Sequence, residues 1–174
     1  FTTKSGNVIL ADTAVKELQK MHQICGGTLK DEDGNRFVFD DTKANFIKEK
    51  FAGKKIAIFY KFVAEGMQLQ LTFKGNVFTD PMEFNKAGKD AVFISQIQSG
   101  REGINISTAD CLIMYNIDFS ALSYWQSRAR LQTKDRVDKA MVYWIFFEGG
   151  IEDKIYSVVQ SKKDFTLNHY KRIG

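Results

Sequence analysis

Proline, cysteine and histidine are all scarce in this chain. Its 174 residues hold one proline, two cysteines and two histidines. A single proline beside 44% hydrophobic residues fits an ordinary globular domain. No linker or low-complexity segment divides the chain, so residues 1–174 read as one domain, large enough to bury a core without staples. Cys25 and Cys111 stand far apart with no CxxC pair, which excludes a disulfide framework and implies a reducing, cytoplasmic setting. Both read as packed residues. His22 lies three residues before Cys25, but two ligands make no metal site, and His169 is near the far end. No Ser–His–Asp or Cys–His set can be assembled, and no metal site is expected. No apolar run approaches bilayer length and no signal-peptide pattern opens the chain, so no membrane is expected. The chain starts FTTKSG, without methionine, as a fragment of something larger would. There is no GxxxxGK[ST] phosphate loop and no strand ending in a paired acidic box for magnesium. Such a domain does not hydrolyse a nucleotide unaided. The net charge of +4 is only a mild basic bias.

What is present alternates between helix and strand. Val15, Leu18, Met21 and Ile24 have helical spacing after a cap at Asp12–Thr13, and Cys25-Gly26-Gly27 stops that helix. LKDEDGNRFVFDD reads as a hairpin turning at Asp33-Gly34-Asn35, which makes its acidic triplet a solvated loop. Thr42–Phe51 is a short amphipathic helix. Ile56–Tyr60 is an uninterrupted apolar run, as in a strand covered on both faces. A crossover helix over Phe62–Phe73, a short strand at Asn76–Phe78 and a helix opened by Asp80-Pro81 follow. Ala91–Ser95, Cys111–Tyr115 and Val142–Phe147 are further strands, and Ile151–Lys162 is a closing helix. The pattern predicts an α/β domain with a mainly parallel sheet, whose ligands bind beyond the carboxyl ends of strands.

The most informative stretch is Ser99–Arg136. Gly100–Asn105 is a glycine-punctuated polar loop, Asp110–Asn116 a buried strand, and from about Ser120 a helix carries Gln126, Arg128 and Arg130. Small residues in the loop let a backbone approach a sugar-phosphate chain, and guanidinium forks suit phosphate. On the helix, Leu122, Trp125 and Ala129 share the sheet-facing side; Gln126 and Arg130 share a neighbouring face. The plainer alternative is that these polar residues merely border a buried stripe.

Several segments in order resemble the C-terminal RecA-like lobe of a superfamily-two helicase or translocase of the Swi/Snf type, many of whose smaller members are bacterial or phage proteins, and such a source is expected. KELQKMHQICG (Lys16–Gly26) resembles the helix entering that lobe, and IAIFYKF (Ile56–Phe62) its fourth motif. SGREGINISTA (Ser99–Ala109) resembles the fifth, and YWQSRAR (Tyr124–Arg130) the sixth. Gly150–Tyr156 with Lys162-Lys163 is similar to the closing helix. The implied fold is a RecA-like sheet with helices on both faces. The resemblance implies a motor lobe that binds ATP and Mg only together with an N-terminal lobe, and that runs on DNA, or on RNA. Arg130 is then the arginine finger, Arg128 a second candidate, and Gln126 orients the site. Gly103, Asn105 and Arg130 would touch the nucleotide; Tyr60, Lys61, Gly100, Arg101 and Ser107 the nucleic-acid backbone. One departure stands out: the usual sixth motif has a second arginine three residues on, and that place is Thr133. Either Arg128 and Arg130 share the work, or Arg136 compensates, or the lobe is a non-catalytic adaptor for nucleic acid or a partner protein.

Overall fold

The structure is a computed structural model that describes residues 14–97, 104–117 and 141–161. Its centre is a five-stranded sheet of β3 (Ile56–Tyr60), β4 (Val77–Phe78), β5 (Val92–Gln96), β6 (Cys111–Met114) and β7 (Met141–Trp144). The order is β4-β5-β3-β6-β7, and every pairing is parallel. Ile56 sits beside Val92 on one side and Cys111 on the other, so β3 is flanked throughout.

Strand alternation explains why both faces are apolar. Ile56, Ile58, Val92, Ile94, Cys111 and Ile113 face one way, onto Ala44, Ile47 and Phe51 of α2 (Thr42–Lys50) and Leu69 of α3 (Val63–Thr72). Ala57, Phe59, Phe93, Leu112 and Met114 face the other, onto Phe84 of α4 (Pro81–Lys86) and onto Ile106 and Ala109. A third cluster joins Cys25 and Ile117 to Ile151 and to Ile155 and Val159 of α5, the helix over 152–161. Both cysteines are free and buried.

Local chemistry sets the boundaries. Asp80 accepts from the Glu83 N–H at 2.9 Å with Pro81 in the first turn, so α4 starts there. α1 (Ala14–Cys25) ends because Gly27 turns left-handed at φ 72°, and the Gly27 carbonyl then accepts from Phe39 and Asp40 N–H. The hairpin is β1 (Thr28–Lys30) and β2 (Arg36–Val38), antiparallel, with Asp31 accepting from the Asn35 N–H at 2.7 Å across its turn. The acidic triplet is thus turn chemistry, as expected.

Both predicted helices form, but the core covers their faces unevenly. The apolar stripe of α1 does not face the core: Val15, Leu18 and Met21 are exposed, whereas His22 and Cys25 are buried. Ile47 of α2 and Phe51 just after it are buried, whereas Phe46 is exposed and Lys43 is buried. The stretch from Ser120, with its arginines, lies outside the described residues.

Candidate functional site at the carboxyl edge of the sheet

β3, β5 and β6 end together, and polar groups collect beyond their carboxyl ends. The turn from β3 into α3 exposes the N–H groups of Lys61 and Phe62, and both donate to Glu65 Oε2, at 3.0 and 2.9 Å. Glu65 is the third residue of α3, so this is the reaching-back half of a capping box. Its other oxygen accepts from Asn116 Nδ2 at 2.5 Å, just past β6. On the β5 side, Gln96 Nε2 donates to the Lys61 carbonyl at 2.8 Å and the Ile97 N–H to the Tyr60 carbonyl at 2.7 Å. Three strand ends are thereby fastened around one turn.

Glu65 is fully buried. Burial pushes its carboxyl up to about 7, against the pull of three donors and of Lys43. The same neighbourhood raises the Tyr60 and Tyr115 hydroxyls, first by burial and then by the nearby Glu65 charge. Tyr115 OH donates to Gln68 Oε1 at 2.9 Å or to the Gly26 carbonyl at 3.2 Å, which joins α1 and α3 to β6. A side chain on Gly26 would overlap Glu65 Oε1, so glycine at this position is a matter of packing.

A second buried charge lies alongside. Lys43 Nζ donates to Glu152 Oε1 at 2.7 Å and to the Tyr115 carbonyl at 2.9 Å, and Glu152 Oε2 accepts from the Phe147 N–H at 2.8 Å. The Glu152 carboxyl is raised by burial and partly restored by Lys43. Motif reading gave no sign of Glu65, Asn116, Lys43 or Glu152. Only the position of Glu65, three residues after the helix-capping Phe62, carried a capping signal.

The expected site residues divide into three groups. Tyr60 and Lys61 are at the carboxyl edge: Tyr60 lies half-buried with its ring against Gly66, and Lys61 Nζ is 5.8 Å from the Phe62 ring. Asn105 is tied to α4, and Ser107 to Asn105. Asn105 Oδ1 accepts from the Ser107 N–H at 3.0 Å, its carbonyl accepts from Asn85 Nδ2 at 2.9 Å, and Thr108 donates to Asn85 Oδ1 at 2.7 Å. Gly100, Arg101, Gly103, Gln126, Arg128 and Arg130 lie outside the described residues. Among the described residues no group of three His, Cys, Asp or Glu is gathered to hold a metal ion. No described helix is long and apolar enough to cross a membrane.

No family model matches the chain. Among solved structures it resembles the crystal structure of the C-terminal part of the Fun30 ATPase domain, with a TM-score of 0.54 and 18% identity, over 66% of this chain and 41% of that one. The fold is RecA-like. In sequence this RecA-like chain is 22% identical over 185 residues to the Drosophila melanogaster SWI/SNF-related, matrix-associated, actin-dependent regulator of chromatin subfamily A containing DEAD/H box 1 homolog, covering 92% of the chain. It is 27% identical over 171 residues to an uncharacterized ATP-dependent helicase of Mycoplasma genitalium, covering 83%. A shorter match, 33% over 87 residues and 49% of the chain, is to a Caenorhabditis elegans chromodomain-helicase-DNA-binding protein 3 homolog. The chain is therefore similar to the C-terminal lobe of SWI/SNF-type helicases. It spans 5% of the nematode protein, 21% of the fly protein and 16% of the Mycoplasma protein. Relatives from animals, a plant and a bacterium do not single out a bacterial or phage source.

Proposed function

We propose that this RecA-like lobe is the second motor lobe of an ATP-dependent DNA helicase or translocase, working with an N-terminal lobe of the same protein. The observation that carries the reading is where the motif-like segments fall. The fourth-motif segment is the central strand β3, and the end of the fifth leads through Ile106 and Ala109 into β6 beside it. Their carboxyl ends then meet at the turn held by Glu65.

In this reading the partner lobe grips the triphosphate and its magnesium, and this lobe brings positive charge to it as the two close. Arg130 is the finger, with Arg128 beside it and Gln126 orienting the site. Gly103 and Asn105 adjoin the nucleotide. Tyr60, Lys61, Gly100, Arg101 and Ser107 follow the nucleic-acid backbone, DNA before RNA. An arginine finger is worth about 10³–10⁵ in rate.

In the intact motor, Arg130→Ala is expected to leave nucleotide binding in place and to cut nucleic-acid-stimulated ATP hydrolysis at least tenfold, about 1.4 kcal/mol of barrier. Unchanged turnover removes Arg130 from the mechanism. Thr133, where the sixth motif normally has its second arginine, favours one other reading: an adaptor lobe that binds nucleic acid or a partner without catalysis. The same assay on the unaltered protein separates the two, since the adaptor shows no stimulated hydrolysis.

A further inference from the structure

A cleft of about 250 Å³ opens between the hairpin β1–β2 and the start of α3, next to the turn after β3. Its walls include Lys30, Arg36, Lys61, Gln23, Gln96 and Phe62, and among the described residues no aspartate or glutamate lines it. The hairpin register places Lys30 directly opposite Arg36. Two cations facing each other across antiparallel strands repel, so the pairing is unfavourable unless an anion comes between or beside them. Two acids nearby in sequence are engaged elsewhere. Asp31 accepts from both the Asn35 N–H and Nδ2, at 2.7 and 2.8 Å, and Glu32 pairs with Lys20 at 3.6 Å.

The walls are also fixed. The Lys30 N–H donates to Gln23 Oε1 at 2.8 Å, which ties the hairpin to α1, and Gln96 fastens the Lys61 carbonyl. The cations thus stand on two separate, braced elements rather than on one flexible loop. A lone phosphate is served by a single fork, whereas charges spread over two elements fit a chain of phosphates.

We infer that this cleft is a phosphodiester-binding site, in which Lys30 and Arg36 of the hairpin extend the nucleic-acid track past Lys61. The inference rests on the motor-lobe reading for the identity of the polymer, but it assigns the hairpin a contact that reading does not contain.

The test is binding of a labelled DNA strand to the full chain by fluorescence anisotropy across a salt series, with unaltered protein, Lys30→Gln/Arg36→Gln and Lys54→Gln/Lys74→Gln. Lys30 and Arg36 are exposed, so the first double variant should fold, which its melting curve checks. Lys54 and Lys74 line a separate cleft near the start of β3 and serve as the charge-matched control. Each phosphate contact contributes roughly 0.7–0.9 to the slope of log affinity against log salt. The hairpin variant should therefore have a slope shallower by about 1.4–1.8, with affinity weakened about tenfold at low salt. The control should match the unaltered chain. Equal loss in both variants, or none in the hairpin variant while the unaltered chain binds, overturns the cleft and leaves the motor reading standing. No salt-dependent binding by the unaltered chain strikes the motor reading itself. Ready release of the strand by pyrophosphate assigns the cleft to a small phosphate compound and overturns the inference.

Discussion

The two ends of the sheet both bury a lysine, and they use it in opposite ways. At the amino end Lys55 Nζ donates to the carbonyls of Asn85 and Ala87, at 3.2 and 2.8 Å, and so closes the carboxyl terminus of α4. Its own N–H is held by Asp110 Oδ2 at 2.8 Å. These are bonds to backbone oxygens near the surface, where water can replace them. At the carboxyl end Lys43 meets a carboxylate that is wholly out of water, next to Glu65, whose proton affinity is tuned near neutrality. One end is sealed for folding. The other stores charge where ligands of such sheets arrive.

The largest expected contrast comes from breaking the Lys43–Glu152 pair. Lys43→Met leaves Glu152 buried without its cation and should cost about 3–5 kcal/mol in urea unfolding. Adding Glu152→Leu should return part of that loss, because the stranded charge is gone; no recovery would mean that the pair is not the source.

Next is the acidity of Glu65. Its folded value is above the ordinary 4.5, so the folded state holds the proton more tightly than the unfolded state does. The contribution is full below pH 4.5 and is lost as pH rises through about 7, about 3 kcal/mol at most. Glu152 acts with the same sign. Stability measured from pH 5 to 8 should fall, and Glu65→Gln should flatten that slope; an equally steep slope in the variant assigns the effect elsewhere.

The smallest effect is expected at the amino end. Lys55→Met keeps the contact with the Phe84 ring, over which Nζ stands at 4.8 Å, and frees two carbonyls that water can reach. About 1 kcal/mol is expected. A loss as large as that of Lys43→Met would erase the distinction between the two ends.

The same contrast separates what the amino-acid sequence reveals from what it hides. Strands β3, β5 and β6 are legible because burial on both faces demands continuous apolar runs, and the Asp33-Gly34-Asn35 turn because only certain residues make it. The buried charges are not legible. Lys43 and Glu65 stand on helices where a charge ordinarily signals a solvated face, and their partners Glu152 and Asn116 are 109 and 51 residues away in sequence. In α1 the helix is legible but its covering is not: helical spacing of Val15, Leu18 and Met21 records a face, not what packs on it, and all three are exposed. Of the expected site residues, Tyr60 and Lys61 stand at the carboxyl edge of the sheet, as their position at the end of an apolar strand implies. Asn105 is held to α4 by the Asn85 side chain, whose role depends on tertiary position, and Ser107 to Asn105.

Asn116 uses both halves of its amide, Nδ2 toward Glu65 and Oδ1 toward the Ile117 N–H at 2.8 Å. Rotating that amide by half a turn would set oxygen against oxygen and nitrogen against nitrogen, so the group has a polarity that neither end can ignore. An aspartate in its place, differing by little more than one atom, would confront Glu65 with a second acid and force the two to share a proton. The joint between the end of β6 and the turn after β3 therefore works like a keyed plug, which seats in one orientation and rejects a near-perfect copy.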